Sequence, residues 1–325
     1  MRRRCFLAGT AVALAPGSLA GQTRRRIGIL MGNRAQGAMS SAYAAGLTSG
    51  LAALGWREGS NLILDWRWAG GDPALFEQYA DELVALHPDA LLAEGSPSVL
   101  ALRRATRSVP IVFTIVTDPL AQGFVESLAQ PGGNVTGFTD YDPSMAGKWM
   151  AFLSDVRPSV THAGVAFNPA TAPFANDMFV AVDQAAPAYS VVARKTPWTN
   201  DREIRDTMAE LARERHGGVV ILSDLFNIVH RGTIIAAAAE HRVPAIYFNR
   251  SFVLGGGLMS YGVDYVDQFR RAAGYFDRLF KGARAADLPV QQPDKFELVV
   301  NLGTAKALGI TLSTTLVAAA DDVIE

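Results

Sequence analysis

The residues best suited to binding chemistry follow predicted strands, where loops and helix starts begin. The most specific group is Gly95-Ser96-Pro97-Ser98. Glycine lets a ligand approach the backbone, proline suits the first turn of a helix, and the serines place hydroxyl groups beside free backbone N–H groups. A helix start of this composition suits a carboxylate or another small anion. The alternative is a capped helix that binds nothing.

Two acidic residues, Asp118 and Asp224, follow predicted strands in different halves of the chain. An aspartate at such a position either binds an amine or hydroxyl group of a ligand or caps the turn that follows it. If both bind, they could hold a polar ligand between them.

Other strand ends carry hydroxyl, amide or aromatic side chains that could contact a ligand. They are Asn33, Thr117, Asn168, Phe226 and Asn249. Tyr261, at a predicted crossing between the lobes, is a further candidate. For the two aromatic residues the alternative is a place in the hydrophobic core.

Sequence patterns for catalysis and for metal binding are not found. None of the five histidines has a partner at a metal-ligand spacing, and the chain has no phosphate loop, no Gly-x-Ser-x-Gly elbow and no dinucleotide-binding motif. We therefore expect no enzyme activity, no cofactor and no metal site.

Strands and helices alternate from Arg26 onward, and this alternation must position the candidate residues. It predicts parallel sheets with helices on both faces. A first unit ends with a strand over 111–116, and a second unit ends with a strand over 245–248. Like elements recur in the same order in both units. The predicted fold class is therefore α/β, with two doubly wound parallel-sheet lobes, although any long α/β chain looks partly self-similar.

One more helix, over 265–281, and one more strand, over 296–301, follow the second unit. Elements left over after two complete units imply that the chain crosses between the lobes more than once. Several crossings form a hinge, and the lobes can then close on a cleft. Because ligands bind beyond the carboxyl ends of strands in open α/β sheets, this cleft is the expected binding site. We predict that lobe 1 comprises residues 24–138 and 262–288, and lobe 2 residues 139–261 and 289–325.

The first twenty residues have the order of a secretory signal. Three arginines, Arg2 to Arg4, precede a short apolar run over 5–15, and small residues precede Gly21. We predict cleavage after Ala20 and a periplasmic mature protein. The arginines also fit twin-arginine export. The alternative is a basic start to a cytosolic fold.

Composition limits the partners of the mature chain. Cys5 is the only cysteine and lies in the segment predicted to be removed, so we expect no lipid anchor and no disulfide. Loss of Arg2, Arg3 and Arg4 from the 30 basic residues leaves 27 against 31 acidic ones, a formal charge of −4. This charge makes nucleic acid an unsuitable partner. No later apolar run approaches a membrane span, so we expect no membrane insertion. We also expect a monomer.

Seven short motifs occur along the mature chain in an order typical of one family. They are PIVF at 110–113, DP at 118–119, PGGNVTG at 131–137, GGLMSYG at 256–262, DLPVQQP at 287–293, FELVVNL at 296–302 and TAKALG at 304–309. Each is weak alone. In this order the motifs resemble the ABC transporter substrate-binding protein family that includes the TrpX-like proteins.

That resemblance implies a type I periplasmic-binding fold with two lobes and a three-segment hinge. It also implies a small-molecule ligand, held between the lobes before delivery to a membrane permease that a cytoplasmic ATPase drives. Some relatives are linked to aromatic amino acids, so an aromatic or other amino acid is the expected ligand class. The chain departs from its relatives at 32–36, where GNRAQ replaces a loop rich in small residues.

Two other functions remain open at this stage. A sensory or regulatory receptor of the same fold would need a helix-turn-helix before Arg26 or a transmembrane segment, and the sequence has neither pattern. The third hypothesis is an exported enzyme.

Overall fold

A computed structural model describes residues 24–214 and 216–325 of the chain. The predicted signal segment, residues 1–20, and its cleavage site lie outside these residues. The described chain folds into two lobes, each built on a sheet with helices on both faces.

Lobe 1 contains a five-stranded sheet that is parallel throughout. Its strands are β1 (Arg25–Met31), β2 (Leu62–Trp68), β3 (Ala90–Glu94), β4 (Ile111–Val116) and β5 (Val135–Thr139). They lie in the order β2-β1-β3-β4-β5. Helices cover both faces, which is why most residues of β1, β3 and β5 are buried. The helices that follow the first three strands are α1 (Ala38–Ala53), α2 (Pro73–Ala85) and α3 (Gly95–Ala105).

Lobe 2 contains a seven-stranded sheet in the order β14-β12-β11-β10-β9-β7-β8, beside a two-stranded ladder of β6 and β13. These strands are β6 (Val156–Arg157), β7 (His162–Phe167), β8 (Val192–Pro197), β9 (Gly217–Ile221), β10 (Ala245–Tyr247), β11 (Met259–Val263), β12 (Phe296–Asn301), β13 (Thr311–Leu312) and β14 (Asp322–Ile324).

The α-helices after β5 are α4 (Ser144–Ser154), α5 (Ala175–Ala185), α6 (Asp201–Arg213), α7 (Leu225–Val229), α8 (Arg231–Glu240), α9 (Arg250–Leu254), α10 (Tyr265–Phe280), α11 (Leu302–Leu308) and α12 (Thr314–Ala318). Two short 3-10 helices cover Ala186–Tyr189 and Ala285–Asp287.

The two sheets repeat one strand order. The order β8-β7-β9-β10-β11 in lobe 2 matches β2-β1-β3-β4-β5 in lobe 1. The predicted duplication of a doubly wound unit is therefore confirmed. In each lobe the winding reverses between the first and third strands, at β1 and β3 and at β7 and β9. Ligands bind at such switch points in open α/β sheets.

Two strands of the seven-stranded sheet, β12 and β14, depart from the all-parallel prediction. β12 runs antiparallel to β11, while β14 is parallel to β12. The physical reason is the route of the chain. β12 enters lobe 2 from the lobe 1 side, so it joins the edge of the sheet in the reverse direction.

The chain passes between the lobes three times. It leaves lobe 1 after β5, returns after β11, and enters lobe 2 again before β12. Helix α10 packs on α1 and β4 after the second passage. Gly50 allows the close approach of α1 to α10, since a Cβ atom at that position would lie 2.5 Å from the Arg270 carbonyl oxygen. Thr139 and Val263, where β5 and β11 end, lie one and two residues beyond the predicted lobe boundaries.

Several predicted elements agree with the structure, and others were missed. The strands over 111–116 and 296–301 have the predicted bounds. The helix predicted from Pro97 begins two residues earlier, at Gly95. Strand β5 and helix α4 were not predicted. The glycines around β5 favour a turn in local sequence preference. All five residues of β5 are buried, however, and tertiary packing overrides that preference.

Candidate functional site

A cavity lies between the lobes at the carboxyl ends of β3, β4 and β9. It contains about 520 Å³ free of protein atoms, including open solvent at its mouth. The lobes are in contact around it. A Cβ atom at Gly32 would lie 3.2 Å from Leu225 Cδ1, and one at Gly71 would lie 3.1 Å from Val229 Cγ2. Because each contact joins lobe 1 to lobe 2, the cleft is in a closed arrangement.

Glu94, the last residue of β3, provides a buried carboxylate on the lobe 1 side. Its Oε2 accepts hydrogen bonds from the backbone N–H groups of Gly32 (2.9 Å) and Asn33 (3.3 Å). Its Oε1 accepts one from Asn33 Nδ2 at 3.1 Å. Burial raises the pKa of Glu94 to about 7, although the backbone hydrogen bonds act in the opposite direction. The side chain therefore joins the ends of β1 and β3 at the switch point.

Asp224 provides the buried carboxylate on the lobe 2 side. Its Oδ2 accepts a hydrogen bond from Asn168 N at 2.7 Å. Its Oδ1 accepts bonds from Phe226 N at 2.9 Å and from the Thr171 hydroxyl. Burial raises the pKa of Asp224 to about 6, against the effect of these donors. Asp224 thus caps α7 and still lines the cavity.

Helix α3 points its N-terminus at the cavity. Gly95 has φ of +75°, a conformation that favours glycine, and no side chain caps the first turn. Ser96 and Pro97 line the cavity beside it. The positive end of the helix dipole and the first-turn N–H groups therefore face the cavity, where an anionic group would be stabilised.

Asp140 lies behind the cavity wall, just after β5. Its Oδ1 accepts a hydrogen bond from Thr117 Oγ1 at 2.6 Å. Its Oδ2 accepts bonds from Ser223 Oγ at 2.5 Å and from the Tyr265 hydroxyl at 3.1 Å. Burial raises the pKa of Asp140 despite these three donors. The network connects both lobes with the start of α10.

Apolar side chains form the remaining walls. Tyr43 and Tyr265 pack edge to face with ring centroids 6.3 Å apart, and Phe248 lies 6.4 Å from the Tyr265 ring. Phe174 lines the lobe 2 side. Ile115, at the carboxyl end of β4, has φ of +55°, a strained conformation for a β-branched residue. The cavity therefore combines apolar walls with polar groups contributed by both lobes.

The profile of one protein family, described as ABC transporter substrate binding protein, matches residues 36–324. The chain belongs to this family. Family members capture a small molecule outside the cytoplasmic membrane and deliver it to the permease of an ABC transporter. The resemblance inferred from the motifs is thereby confirmed.

Individual relatives agree with this assignment. A tyrosine-binding protein of Clostridioides difficile is 28% identical over 257 residues, which cover 78% of this chain and 72% of that protein. A conserved domain protein of Vibrio cholerae has 29% identity and a TM-score of 0.83, covering 93% of this chain and 99% of the other. A Streptococcus pneumoniae ABC domain in complex with L-Trp shares the fold at 23% identity, with a TM-score of 0.84 and coverage of 93% and 100%. The first is named for binding tyrosine and the third was solved with L-Trp, and neither name describes an enzyme.

Four of the predicted ligand residues line the cleft of this ABC substrate-binding protein. They are Gly95, Ser96, Thr117 and Asp224. Two more, Asn33 and Asn168, hold the buried carboxylates from behind: Asn33 donates to Glu94 and Asn168 donates to Asp224.

The other predicted residues do not line the cavity. Ser98 is fully buried in α3, because it lies on the face of the helix that packs against the sheet. Asp118 caps a turn by accepting from Ala121 N, and Asn249 caps α9. The Phe226 ring stacks on His230 with centroids 4.0 Å apart.

Tyr261 also points away from the cleft. It lies in the middle of β11, its ring stacks on Phe296 and it contacts Phe152, so it belongs to the packing of lobe 2 rather than to a crossing.

Several lining residues were missed by the sequence reasoning. Tyr265 is the first residue of the helix that follows β11, and Tyr43 lies in the second turn of the helix that follows β1. Thr171 and Phe174 lie just beyond Asn168. The signal that could have found them is proximity to a helix start at a strand's carboxyl end. Ser223 precedes Asp224 in the same strand-end loop, but only the charged residue was predicted to bind the ligand.

The described residues contain neither a metal-ion cluster nor a membrane-spanning helix. Within 24–214 and 216–325, no cluster of three or more His, Cys, Asp or Glu side chains is placed to hold a metal ion. No helix in that part of the chain is both long and apolar enough to span a membrane.

Proposed function

We propose that this substrate-binding protein captures an α-amino acid, with an aromatic side chain, in the interlobe cavity. The observation that carries the proposal is the charge pattern of the lining. Two buried carboxylates, Glu94 and Asp224, line the cavity, and none of the described residues that line it is lysine, arginine or histidine. An amino acid fits this pattern because it brings its own cation and needs no basic side chain for its carboxylate if a helix N-terminus is available.

The proposed orientation of the ligand follows from the two polar groups of the cavity, the first turn of α3 in lobe 1 and Asp224 in lobe 2. The ligand carboxylate lies at the first turn of α3, near Ser96. Its ammonium group lies toward Asp224, whose Oδ2 accepts a single hydrogen bond from residues 24–214 and 216–325 and retains acceptor capacity. The side chain lies among Tyr43, Phe174 and Phe248. Since the first turn of α3 and Asp224 belong to different lobes, the ligand bridges the lobes and favours the closed arrangement.

Relatives support the aromatic class. One is named as tyrosine-binding and another was solved with L-Trp. In this chain the aromatic and aliphatic walls would bury such a ring, and burial of a large apolar side chain contributes about 1.5 to 3 kcal/mol.

The cellular context completes the proposal. The mature chain begins near Gly21 after export by the Sec or twin-arginine route, acts in the periplasm as a monomer without catalytic activity, and docks on its permease. The predicted lobes, residues 24–138 with 262–288 and residues 139–261 with 289–325, move as two bodies, with the first two boundaries shifted to the ends of β5 and β11.

Calorimetric titration of the protein with the twenty L-amino acids, after unfolding and refolding to remove bound small molecules, tests this function. Tyrosine, tryptophan or phenylalanine is expected to bind most tightly. Glutamate is expected to bind least, since its second carboxylate would face Glu94 or Asp224. Tight binding of an acidic or aliphatic amino acid, with no response to aromatic ones, would contradict the proposal.

A further inference from the structure

Three hydroxyl groups on the cavity wall share one buried acceptor. Thr117, Ser223 and Tyr265 all line the cavity, and all donate to the carboxylate of Asp140. Asp140 is only 2% exposed and lies behind them.

The number of hydroxyl hydrogens in this cluster determines whether the cavity wall donates or accepts hydrogen bonds. Each hydroxyl group has one hydrogen and two lone pairs. Because all three hydrogens point at Asp140, only lone pairs remain for the cavity. The wall that Thr117, Ser223 and Tyr265 form is therefore a hydrogen-bond acceptor at every position, although hydroxyl groups can in general act either way.

The position of Asp140 adds a conformational condition. It follows β5 on the first crossing between the lobes. Thr117 follows β4 in lobe 1 and Ser223 follows β9 in lobe 2, so both reach Asp140 when the lobes are together. Gln268 supports the same crossing by donating to the Thr139 carbonyl oxygen at 2.7 Å. The acceptor wall is thus complete in the closed arrangement.

We propose that Asp140 is a positioning residue that orients these three hydroxyl groups as acceptors and so selects ligands with a protonated amine. The inference deepens the proposed function, on which it rests for the cavity being the binding site. It assigns recognition of the amine to hydroxyl groups that a buried carboxylate holds, in addition to direct contact with Asp224.

The native protein provides the first experiment. Calorimetry compares L-tyrosine with tyramine, which lacks the carboxylate, and with 3-(4-hydroxyphenyl)propanoate, which lacks the amine. The tryptophan series, with tryptamine and indole-3-propanoate, is measured in parallel. The compounds without the amine are expected to bind about ten- to a hundred-fold more weakly than the amino acids, as expected for a charged hydrogen bond. Equal binding with and without the amine would overturn the inference.

The second experiment uses Asp140→Asn, which keeps the size of the side chain. The asparagine NH₂ group must donate to at least one hydroxyl, and that hydroxyl then turns its own hydrogen toward the cavity. The preference for the amine, expressed as the ratio of the two dissociation constants, is expected to fall about tenfold. Asp277→Asn is the matched control. Asp277 is also a buried aspartate, but it accepts from Trp56 and Lys281, outside the cavity lining.

Tyr265→Phe keeps the inference testable if Asp140→Asn does not fold. It removes one hydroxyl and retains the ring beside Tyr43 and Phe248. The amine preference is expected to fall about three- to tenfold, a smaller effect because two acceptors remain. A merely structural role would weaken all compounds equally, so an unchanged ratio in a folded variant would refute the positioning role.

Failure of the proposed function gives a different result. If tyramine or tryptamine binds while no aromatic amino acid does, the amino acid assignment is wrong and the acceptor wall is supported.

Discussion

Two acidic residues occupy similar places in sheets with the same strand order: Glu94 is the last residue of the third strand of lobe 1, and Asp224 follows the third strand of lobe 2. Each is buried, and each accepts backbone N–H groups from the loop after the first strand of its own lobe. They differ in their relation to the next helix. Glu94 directly precedes α3 and leaves its first turn uncapped, whereas Asp224 lies three residues after β9 and caps α7.

This difference shows how one duplicated plan can form two unlike ends of a binding site. In lobe 1 the carboxylate turns toward Gly32 and Asn33, so the N–H groups at the start of α3 remain available to an anion. In lobe 2 the carboxylate satisfies the helix start itself and presents negative charge to the cavity. In the proposed binding mode, the same residue class therefore leaves an anion site in one lobe and makes a cation site in the other.

The largest expected effect comes from Asp224→Ala. Loss of the ligand's charged partner is expected to weaken binding of the aromatic amino acid by about ten- to a hundred-fold. One buried donor and two partly buried donors would lose their acceptor, so the free energy of unfolding is expected to fall by about 3 kcal/mol as well. Calorimetry and urea unfolding measure the two effects.

Asp118→Ala is the control for that change. Asp118 also follows a strand and caps a turn, but it does not line the cavity. It is expected to cost about 1 kcal/mol of stability and no affinity. Unchanged affinity in Asp224→Ala would mean that both aspartates are only caps.

The next effect concerns the pH dependence of stability without ligand. Burial raises the pKa of Glu94 from 4.5 to about 7 and that of Asp224 from 3.8 to about 6. Between the unfolded and folded values, the folded protein binds more protons than the unfolded chain. The free energy of unfolding should therefore decrease as the pH rises through these windows, by about 3 kcal/mol for Glu94.

Urea unfolding curves, about one per pH unit between pH 5 and pH 8, measure how the free energy of unfolding depends on pH. Glu94→Gln is expected to remove most of the slope near neutral pH and to leave the part below pH 6 that Asp224 produces. A slope that Glu94→Gln does not change would show that the Glu94 carboxylate is not the titrating group.

A smaller effect is expected for Ser96→Ala. The backbone N–H groups at the start of α3 remain when the hydroxyl is removed, so affinity for the amino acid should fall only about two- to fivefold. Calorimetry distinguishes this from the larger loss in Asp224→Ala. An equal loss would mean that the hydroxyl, rather than the helix end, holds the carboxylate.

The smallest effect is expected for Ser98→Ala, two residues along the same helix. Ser98 Oγ is buried and has no hydrogen-bond partner in the described structure. Its removal should leave affinity unchanged and should keep stability the same or raise it by about 1 kcal/mol. Thermal unfolding and calorimetry of the variant would check both. A loss of affinity here would place the ligand deeper in α3 than proposed.

Local sequence patterns were sufficient for the fold class and for part of the site. Alternating apolar strands and polar loop residues are short-range signals, and they indicated both lobes and the strand ends where Gly95, Ser96, Thr117 and Asp224 lie. The order of motifs identified the family because each motif maintains a turn or a strand of this fold.

Other features depended on the packing of distant segments. Ser96 and Ser98 look equivalent in the sequence, and only the helix orientation on the sheet sends one to the cavity and the other into the core. Asp140 meets Ser223 across 83 residues and Tyr265 across 125. Such contacts form when the three crossings bring the lobes together, and no local pattern specifies that geometry. The sequence by itself determined the two lobes and their strand ends, whereas only the tertiary structure decided which of those residues face one another.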